Sequence, residues 1–428
     1  MLDDSLTAAA RLLAGRLDEL GRVSDDKDRL TRTFLSPAME RANLLVGSWM
    51  HDVGLKVQED ETGNLIGRLE AATPKARTLL LGSHLDTVRN AGRFDGALGV
   101  VLPIVALEAL KQRGVALPFA VEILGFSEEE AVRFTGAYIG SKAYTGRLRA
   151  EDLLLRDVRG HTVREVIEAH AGRSYAPPRR AHKPSELIGY VEVHIEQGPV
   201  LESENLAVGV VSAIASQTRG RLVFRGKAGH AGTTPMHLRL DSLAGAAEFI
   251  QFVEKYAQGQ PPLVATVGTI QVPAGAANVI PGETILSLDV RHPDDAACAE
   301  GVDALLKAAR AIARRRQLKV EWEQTMQHPA TPCSPELSEA LARSVEAVQT
   351  RNLSLVSGAG HDAVVMAALT PVAMLFVRCR DGLSHHPDEF AAPADLEVAL
   401  RVMVDFLEKL AQAEAQRPPA RARGRSAG

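Results

Sequence analysis

Two apolar runs with a helix-period segment between them constrain this chain more than any other feature. Thr78-Leu79-Leu80-Leu81 leads straight into Gly82-Ser83-His84-Leu85-Asp86-Thr87, and Phe119 to Phe126 leads into Ser127-Glu128-Glu129-Glu130. Runs apolar on both faces belong to strands buried on both sides, as in parallel sheets covered by helices. Between them, residues 96–114 carry Leu, Val, Ile and Ala at helical spacing and stop on Gly114, a common helix terminator. Strand, helix, strand in that order predicts a right-handed crossover in a mostly parallel sheet, hence the α/β class. Residues 3–22 and 38–53 read as amphipathic helices, and Leu65 to Leu69 as a further strand. Ligands of such sheets bind outside the carboxyl ends of the strands, where both runs deliver their polar residues.

Those polar residues have the types that hold a metal. His84, Asp86 and Asp95 put one imidazole and two carboxylates within a dozen positions, a set suited to a divalent ion. Read alone, His84 is as well explained as a hydrogen-bonded polar group at a strand end. Three adjacent glutamates are, taken alone, more often a solvated turn, and it is the proximity of His84 and Asp95 that favours a site. In Tyr190 to Pro199, alternation sets Val191, Val193 and Ile195 on one face and Glu192, His194 and Glu196 on the other. His194 is thus a third candidate ligand. Near the C-terminus, His361 and the pair His385-His386 sit in Gly-rich loops, and such loops commonly carry chemistry.

The chain has 428 residues, more than one core usually holds, so two domains are expected. Short alternating strands at Gly220 to Phe224, Leu263 to Ile270 and Thr284 to Val290 surround helical segments at 241–257 and 296–316, which reads as an inserted α+β domain. The expected boundaries are 1–214 and 329–415 for the two parts of the first domain, 215–328 for the insert, and 416–428 for an Arg- and Pro-rich disordered tail. A long helical, Pro/Arg-rich connection runs through Pro177-Pro178-Arg179-Arg180. A formal net charge of -4 argues against a general nucleic-acid or membrane surface. Cys298, Cys333 and Cys379 have no metal-like or redox-like spacing, and the acidic N-terminus does not read as a signal peptide. No apolar run reaches the length of about 18 residues that a membrane span needs. A cytosolic protein acting on a small molecule is the expectation.

Taken together, the segments resemble a known family. Gly82-Ser83-His84-Leu85-Asp86-Thr87, Asp95-Gly96, Glu129-Glu130, His194-Ile195-Glu196-Gln197-Gly198, Gly229-His230-Ala231-Gly232-Thr233-Thr234-Pro235-Met236, Asn278-Val279-Ile280-Pro281-Gly282, Gly358-Ala359-Gly360-His361-Asp362 and the Ser384 to Glu389 segment resemble the dinuclear-metal amidohydrolases allied to the M20 peptidases. Within them the chain is similar to the carbamoylase branch: allantoate amidohydrolase, N-carbamoyl-L-amino acid hydrolase and β-ureidopropionase. The resemblance implies two divalent ions (Zn, Mn, Co or Ni) bridged by Asp95, with His84 and His194 on one and Glu130 and His385 on the other. Counting back from Glu389 selects His385 over His386. Glu129 becomes the general base and Asp86 the residue that orients His84. Gln197, Gln217, Arg219, His230, Asn278, Arg291 and His361 become substrate contacts. Ala131 stands where relatives usually have Gly.

The resemblance also implies that the insert is a ferredoxin-like lid and dimerisation domain, so a homodimer is expected. The implied reaction is hydrolysis of a ureido C–N bond in a small substrate bearing a carboxylate. Allantoate comes first, with release of ammonia and carbon dioxide; an N-carbamoyl-L-amino acid or β-ureidopropionate is the alternative. A peptidase is disfavoured by His194, where many peptidases of the superfamily use a carboxylate. A silent ureido-binding protein is disfavoured because no site residue is missing.

Overall fold

The computed structural model describes residues 4–71, 73, 76–176 and 182–416. The expected connection at Pro177 to Arg180, and the expected tail beyond Gln416, lie outside the described residues. The described chain forms two compact units. One comprises the residues up to Ser212, Cys333–Leu355 and those from His361 onward; the other comprises Ala213–Pro332 with Val356–Gly360.

The first unit is built on a mixed sheet. Its main strands are β1 (Lys56–Glu59), β2 (Leu65–Leu69), β3 (Thr78–His84), β4 (Ala120–Phe126), β5 (Leu187–Ile195), β6 (Val208–Ile214) and β7 (Val372–Val377), in the order β1-β2-β4-β3-β5-β7-β6. The central four, β4-β3-β5-β7, are parallel. The flanking pairs β1-β2, β2-β4 and β7-β6 are antiparallel. The sheet is therefore parallel at its centre, where both faces are covered, and antiparallel toward its edges. Every residue of β3, β4, β5 and β7 is buried, which accounts for their largely apolar character; the buried carboxylates Glu122 of β4 and Glu192 of β5 are hydrogen-bonded, Glu122 to Arg68 and Tyr144 and Glu192 to Ser83 and the Ala363 N–H.

Helix Ala97–Gln112 is the crossover between β3 and β4, and it is not amphipathic in the ordinary sense. All but Glu108, Lys111 and Gln112 are buried, because the sheet lies on one side and helices Asp4–Leu20 and Pro393–Ala415 on the other. Each large aliphatic residue buried this way contributes about 1.5–3 kcal/mol. Contact with the sheet is closest at Gly99, where a Cβ would stand 2.3 Å from the Val193 carbonyl oxygen and 2.6 Å from Ser83 Cβ. The helix therefore rests on the two strands that carry His84 and His194. Helix Pro37–Val53 starts where Ser36 caps the Met39 N–H, with proline in its first turn.

The second unit holds an antiparallel sheet in the order Ile270–Gln271, Glu283–His292, Ser216–Arg225, Lys319–His328, with Val264–Thr266 also paired to Glu283–His292. Alternation is strict. Thr218, Leu222, Phe224, Leu286, Leu288 and Val290 face the core with Phe249 and Leu305 from helices Ser242–Gln258 and Asp295–Arg315. The opposite sheet face presents Gln217, Arg219, Arg221 and Arg225 beside Glu283, Asp289 and Arg291. The sequence-expected strand at 263–270 is in fact two short strands, and the charged strand Lys319–His328 was not expected. Among the described residues no helix is long and apolar enough to cross a membrane.

Gly99→Ala should lower the urea midpoint by an amount equivalent to about 1–3 kcal/mol, the usual cost of overpacking. Gly15→Ala is the control, since Gly15 sits in helix Asp4–Leu20 with nothing within 4 Å of a new Cβ. It should raise the midpoint by the equivalent of about 0.5–1 kcal/mol. A neutral Gly99→Ala would mean that the helix can lift off the sheet at no cost.

Candidate metal centre

All four parallel strands deliver polar residues from their carboxyl ends. His84 is the last residue of β3, His194 the penultimate residue of β5, Glu129 and Glu130 follow β4, and His385 follows β7. Asp95 lies between β3 and the crossover helix. The next residue, Gly96, adopts φ +65 and leaves no room for a Cβ, which would stand 2.4 Å from the His84 ring. Here the close approach of backbone to imidazole requires glycine.

The three imidazoles converge on one carboxylate. His194 Nε2 lies 3.1 Å and His84 Nε2 3.4 Å from Asp95 Oδ1, while His385 Nε2 lies 3.3 Å from Asp95 Oδ2 and 3.6 Å from Glu130 Oε2. His84 and His194 each turn the other nitrogen to a backbone carbonyl: Nδ1 of His84 is 2.9 Å from the Asp86 oxygen and Nδ1 of His194 is 2.9 Å from the Ile195 oxygen. Donation from Nδ1 leaves a lone pair on Nε2, the tautomer and orientation of a metal-bound histidine. Burial alone would raise the Asp95 carboxyl; where the imidazoles are protonated on both nitrogens, hydrogen bonds from His194, His385 and His84 overcome it and hold Asp95 well below its ordinary value, whereas neutral rings turn Nε2 lone pairs toward it and leave that place to a cation. His386 is not part of this set, and its Nδ1 accepts instead from the Asp388 N–H at 3.2 Å.

The acidic loop after β4 places its three glutamates in three different surroundings. Glu128 turns inward, where its Oε1 accepts from the Arg133 and Phe134 N–H groups at 2.9 and 2.7 Å and folds the loop. Glu130 reaches His385, and burial together with Asp95 pushes its carboxyl up to about 7. Glu129 stands between them beside His84. Burial, against the pull of His84 and reinforced by Glu130 and Asp362, holds the Glu129 carboxyl well above its usual value. Asp86 divides two tasks between its backbone and its side chain. Its carboxylate is 3.8 Å from His84 Nδ1, and it is the Asp86 carbonyl that orients the ring. The carboxylate accepts from the N–H groups of Glu129 and Glu130, each at 3.1 Å, and so positions the acidic loop instead.

Other expected residues fall into three places. Gln197, at φ +56, donates from Nε2 to Asp95 Oδ2 at 2.9 Å. His361 is 1% exposed, its ring edge-on to His194 at 4.5 Å and against Phe376 at 5.8 Å. The remaining five lie on the second unit. His230 and Asn278 are brought side by side, with Val279 opposite His230 and the Ala231 N–H bonded to the Asn278 carbonyl at 2.9 Å. Gln217, Arg219 and Arg291 all donate to Asp289.

Two supporting groups were not expected from the sequence. Glu389 Oε1 accepts from the Phe94 and Asp95 N–H groups at 2.9 and 3.1 Å, and Ser384 Oγ lies 2.7 Å from Asp95 Oδ2 and 2.9 Å from Glu389 Oε2. Both residues stand in the His385 motif, so their proximity was a usable signal. Asp289 could have been found from the strand pattern, because it shares a face with Arg291 two residues on.

The donor set fits metal ions. Lone pairs of two imidazoles converge on one carboxylate oxygen, a repulsive arrangement that a cation between them resolves. Glu130 Oε1 is buried with no hydrogen-bond partner, an orphan that ordinarily costs about 1–3 kcal/mol. Ligand-capable atoms of His84-Asp95-His194, of Asp95-Glu130-His385 and of His84-Glu129-Glu130 lie within 4.8 Å of one another in each group. Imidazole and carboxylate donors suit Zn, Mn, Co or Ni.

Comparison with known proteins bears on the same residues. Residues 80–409 match the profile of Peptidase family M20/M25/M40. The chain is 39% identical to Allantoate deiminase 2 of Glycine max over 426 residues, 92% of this chain and 88% of that one. It is 36% identical to N-carbamoyl-L-amino-acid amidohydrolase of Pseudomonas sp. (strain NS671) over 412 residues, 95% of this chain and 99% of the other. A hydantoinase/carbamoylase family amidase from Burkholderia multivorans superposes with a TM-score of 0.89 at 31% identity, over 96% of this chain and 98% of that chain.

The loop that carries the glutamates contains a test of backbone strain. Ala131 has φ +53, in the left-handed region that costs an L-residue about 1–2 kcal/mol. Ala131→Gly should relieve this, less about 0.5–1 kcal/mol for the added freedom of glycine in the unfolded chain. The urea midpoint should rise slightly with turnover unchanged; a fall would mean that the Ala131 methyl contributes more by packing than its backbone loses.

Proposed function

The chain belongs to the M20/M25/M40 peptidase family, and from that premise we propose that it is a two-metal amidohydrolase cleaving a ureido C–N bond, with allantoate as substrate. The observation that carries the reading is the convergence of His84, His194, His385 and Glu130 on Asp95, with Glu129 beside them. Identity near 39% to allantoate deiminases favours allantoate. An N-carbamoyl-L-amino acid is the second reading, supported by 36–38% identity to its hydrolases.

In this reading Asp95, His84 and His194 would hold one divalent ion, and Asp95, Glu130 and His385 would hold a second. When bound, the ions supply Lewis acidity, activating a water and polarising the scissile carbonyl. Glu129 takes the proton of the attacking water and passes it to the departing nitrogen. The bonds of Glu128 Oε1 to the Arg133 and Phe134 N–H groups support Glu129 over Glu128 for that task.

On the second unit, His230 Nδ1 accepts from the Gly232 N–H at 3.1 Å, which fixes the proton on Nε2. His230 Nε2–H and the Asn278 amide are the proposed donors to the oxyanion. Gln197 and Gln217 are proposed to contact the ureido group, Arg291 to pair with the substrate carboxylate, and Arg219 to support it. Exposed Phe252, Val264 and Ile270 on the same unit support a homodimer contact there. Three free cysteines support a reducing, cytosolic setting.

Turnover of allantoate, N-carbamoyl-L-alanine and a dipeptide by one metal-loaded preparation tests the reading. Allantoate should have the highest kcat/KM; a lead for the carbamoyl amino acid would select the second reading, and a lead for the dipeptide would end both. Glu129→Gln should keep both ions and the fold while losing at least about a hundredfold in kcat, the low end of a general-base contribution. Near-normal turnover in that variant would remove Glu129 from the role.

A further inference from the structure

One face of the second unit's sheet carries a small ionic cluster with an imbalance. Asp289 and Arg291 are two residues apart on strand Glu283–His292 and so share a face. On the neighbouring strand Arg219 stands opposite Asp289, and Gln217 opposite Arg291. Asp289 Oδ2 accepts from Gln217 Nε2 at 2.8 Å, Arg219 Nε at 2.6 Å and Arg291 Nη2 at 2.9 Å, and Oδ1 accepts from Arg291 Nε at 2.8 Å. Arg291 Nη1 donates to the Gly358 carbonyl. Elsewhere on this face arginines meet at least one carboxylate each: Arg221 pairs with Glu323, and Arg225 with Glu283 and Glu321. At Asp289 two guanidinium groups share a single carboxylate, leaving one positive charge over.

The donors of Arg291 show where that charge is available. A guanidinium has five N–H bonds. Asp289 takes the Nε–H and one Nη2–H, a two-point pairing along one edge, and Gly358 takes one Nη1–H. One N–H remains on each terminal nitrogen, enough for one further carboxylate in two-point contact. Burial alone would raise the Asp289 carboxyl, but Arg291, Arg219 and Gln217 hold it below its usual value, so its anchoring charge is present throughout the neutral range.

We propose that Asp289 is the positioning residue of a single-carboxylate subsite, clamping one edge of Arg291 so that its remaining edge receives the carboxylate of the substrate. The inference rests on the reading that Arg291 pairs with the substrate, and deepens it by naming what sets the geometry and the charge. Asp289 touches no substrate atom in this account; it acts through Arg291. Losing Asp289 frees the guanidinium to rotate, so the loss falls on binding of the carboxylate end and not on the bond-breaking step.

The test compares Asp289→Asn and Arg291→Lys with wild type on two compounds: the better substrate of allantoate and N-carbamoyl-L-alanine, and its uncharged carboxamide. Metal content and thermal midpoint are measured on the same preparations. Asp289→Asn should raise KM for the carboxylate about tenfold or more, the scale of one charge-assisted hydrogen bond. Neither kcat nor KM for the carboxamide should follow. Arg291→Lys should discriminate between the two compounds in the same way. If Arg291→Lys discriminates and Asp289→Asn does not, the anchor stands and the role of Asp289 is overturned. If neither discriminates, the anchor reading falls and takes the inference with it. An equal loss on both compounds, or a loss confined to kcat, would reduce Asp289 to a structural residue.

Discussion

Everything at the site depends on one buried carboxylate with three imidazoles pointed at it. Asp95 keeps its charge away from water because His84, His194 and His385 surround it and Gln197 and Ser384 donate to it. Those imidazoles in turn have their far nitrogens tied to carbonyls or their backbones held in place. A buried charge left without such partners is strongly destabilising. The parallel centre of the sheet is what allows the arrangement. Adjacent parallel strands end on the same side, so β3, β4, β5 and β7 bring residues far apart in sequence to one point.

Around that point the backbone is held in uncommon conformations. Glu128, Ala131, Tyr138, Gln197 and His385 all have positive φ, and every one belongs to a loop that carries a site residue. Such conformations cost energy and persist only where surrounding bonds impose them. Here the bonds are identifiable: the Asp86 carboxylate on the acidic loop, Glu128 on the Arg133 and Phe134 amides, Glu389 on the Asp95 amide. The strain and the hydrogen bonds that enforce it are two sides of one device for aiming Glu129, Glu130 and His385.

Much of this was legible in the sequence, and the gaps have physical causes. The strands β3 and β4 and their crossover helix were readable because burial on both faces writes a mostly apolar run. Lys319–His328 was not, since none of its residues is buried and a register shift between Gln324 and Met326 interrupts its alternation. The antiparallel flanks of the sheet were also missed, because pairing direction depends on chain path and leaves no local pattern. Residue type disclosed which side chains can bind a metal, yet it could not say that Glu128 turns inward to the Arg133 and Phe134 amides while Glu130 reaches His385; that depends on the path of the loop. For the same reason residue type could not say that Asp86 meets His84 through its carbonyl while its carboxylate holds the loop. Asp289 escaped notice because its importance comes from cross-strand register with Arg219 and Gln217.

The most direct measurement of the central claim is metal stoichiometry in wild type and Asp95→Asn by elemental analysis after dialysis, with secondary structure checked by circular dichroism. Asp95 is the only residue assigned to both ions, and removing its charge removes the bridge. Wild type should retain two divalent ions per chain, as the two Asp95-containing groups imply, and Asp95→Asn should lose both while remaining folded. A folded variant that retains either ion would contradict the account, because Asp95 would then not be the group on which the whole centre depends.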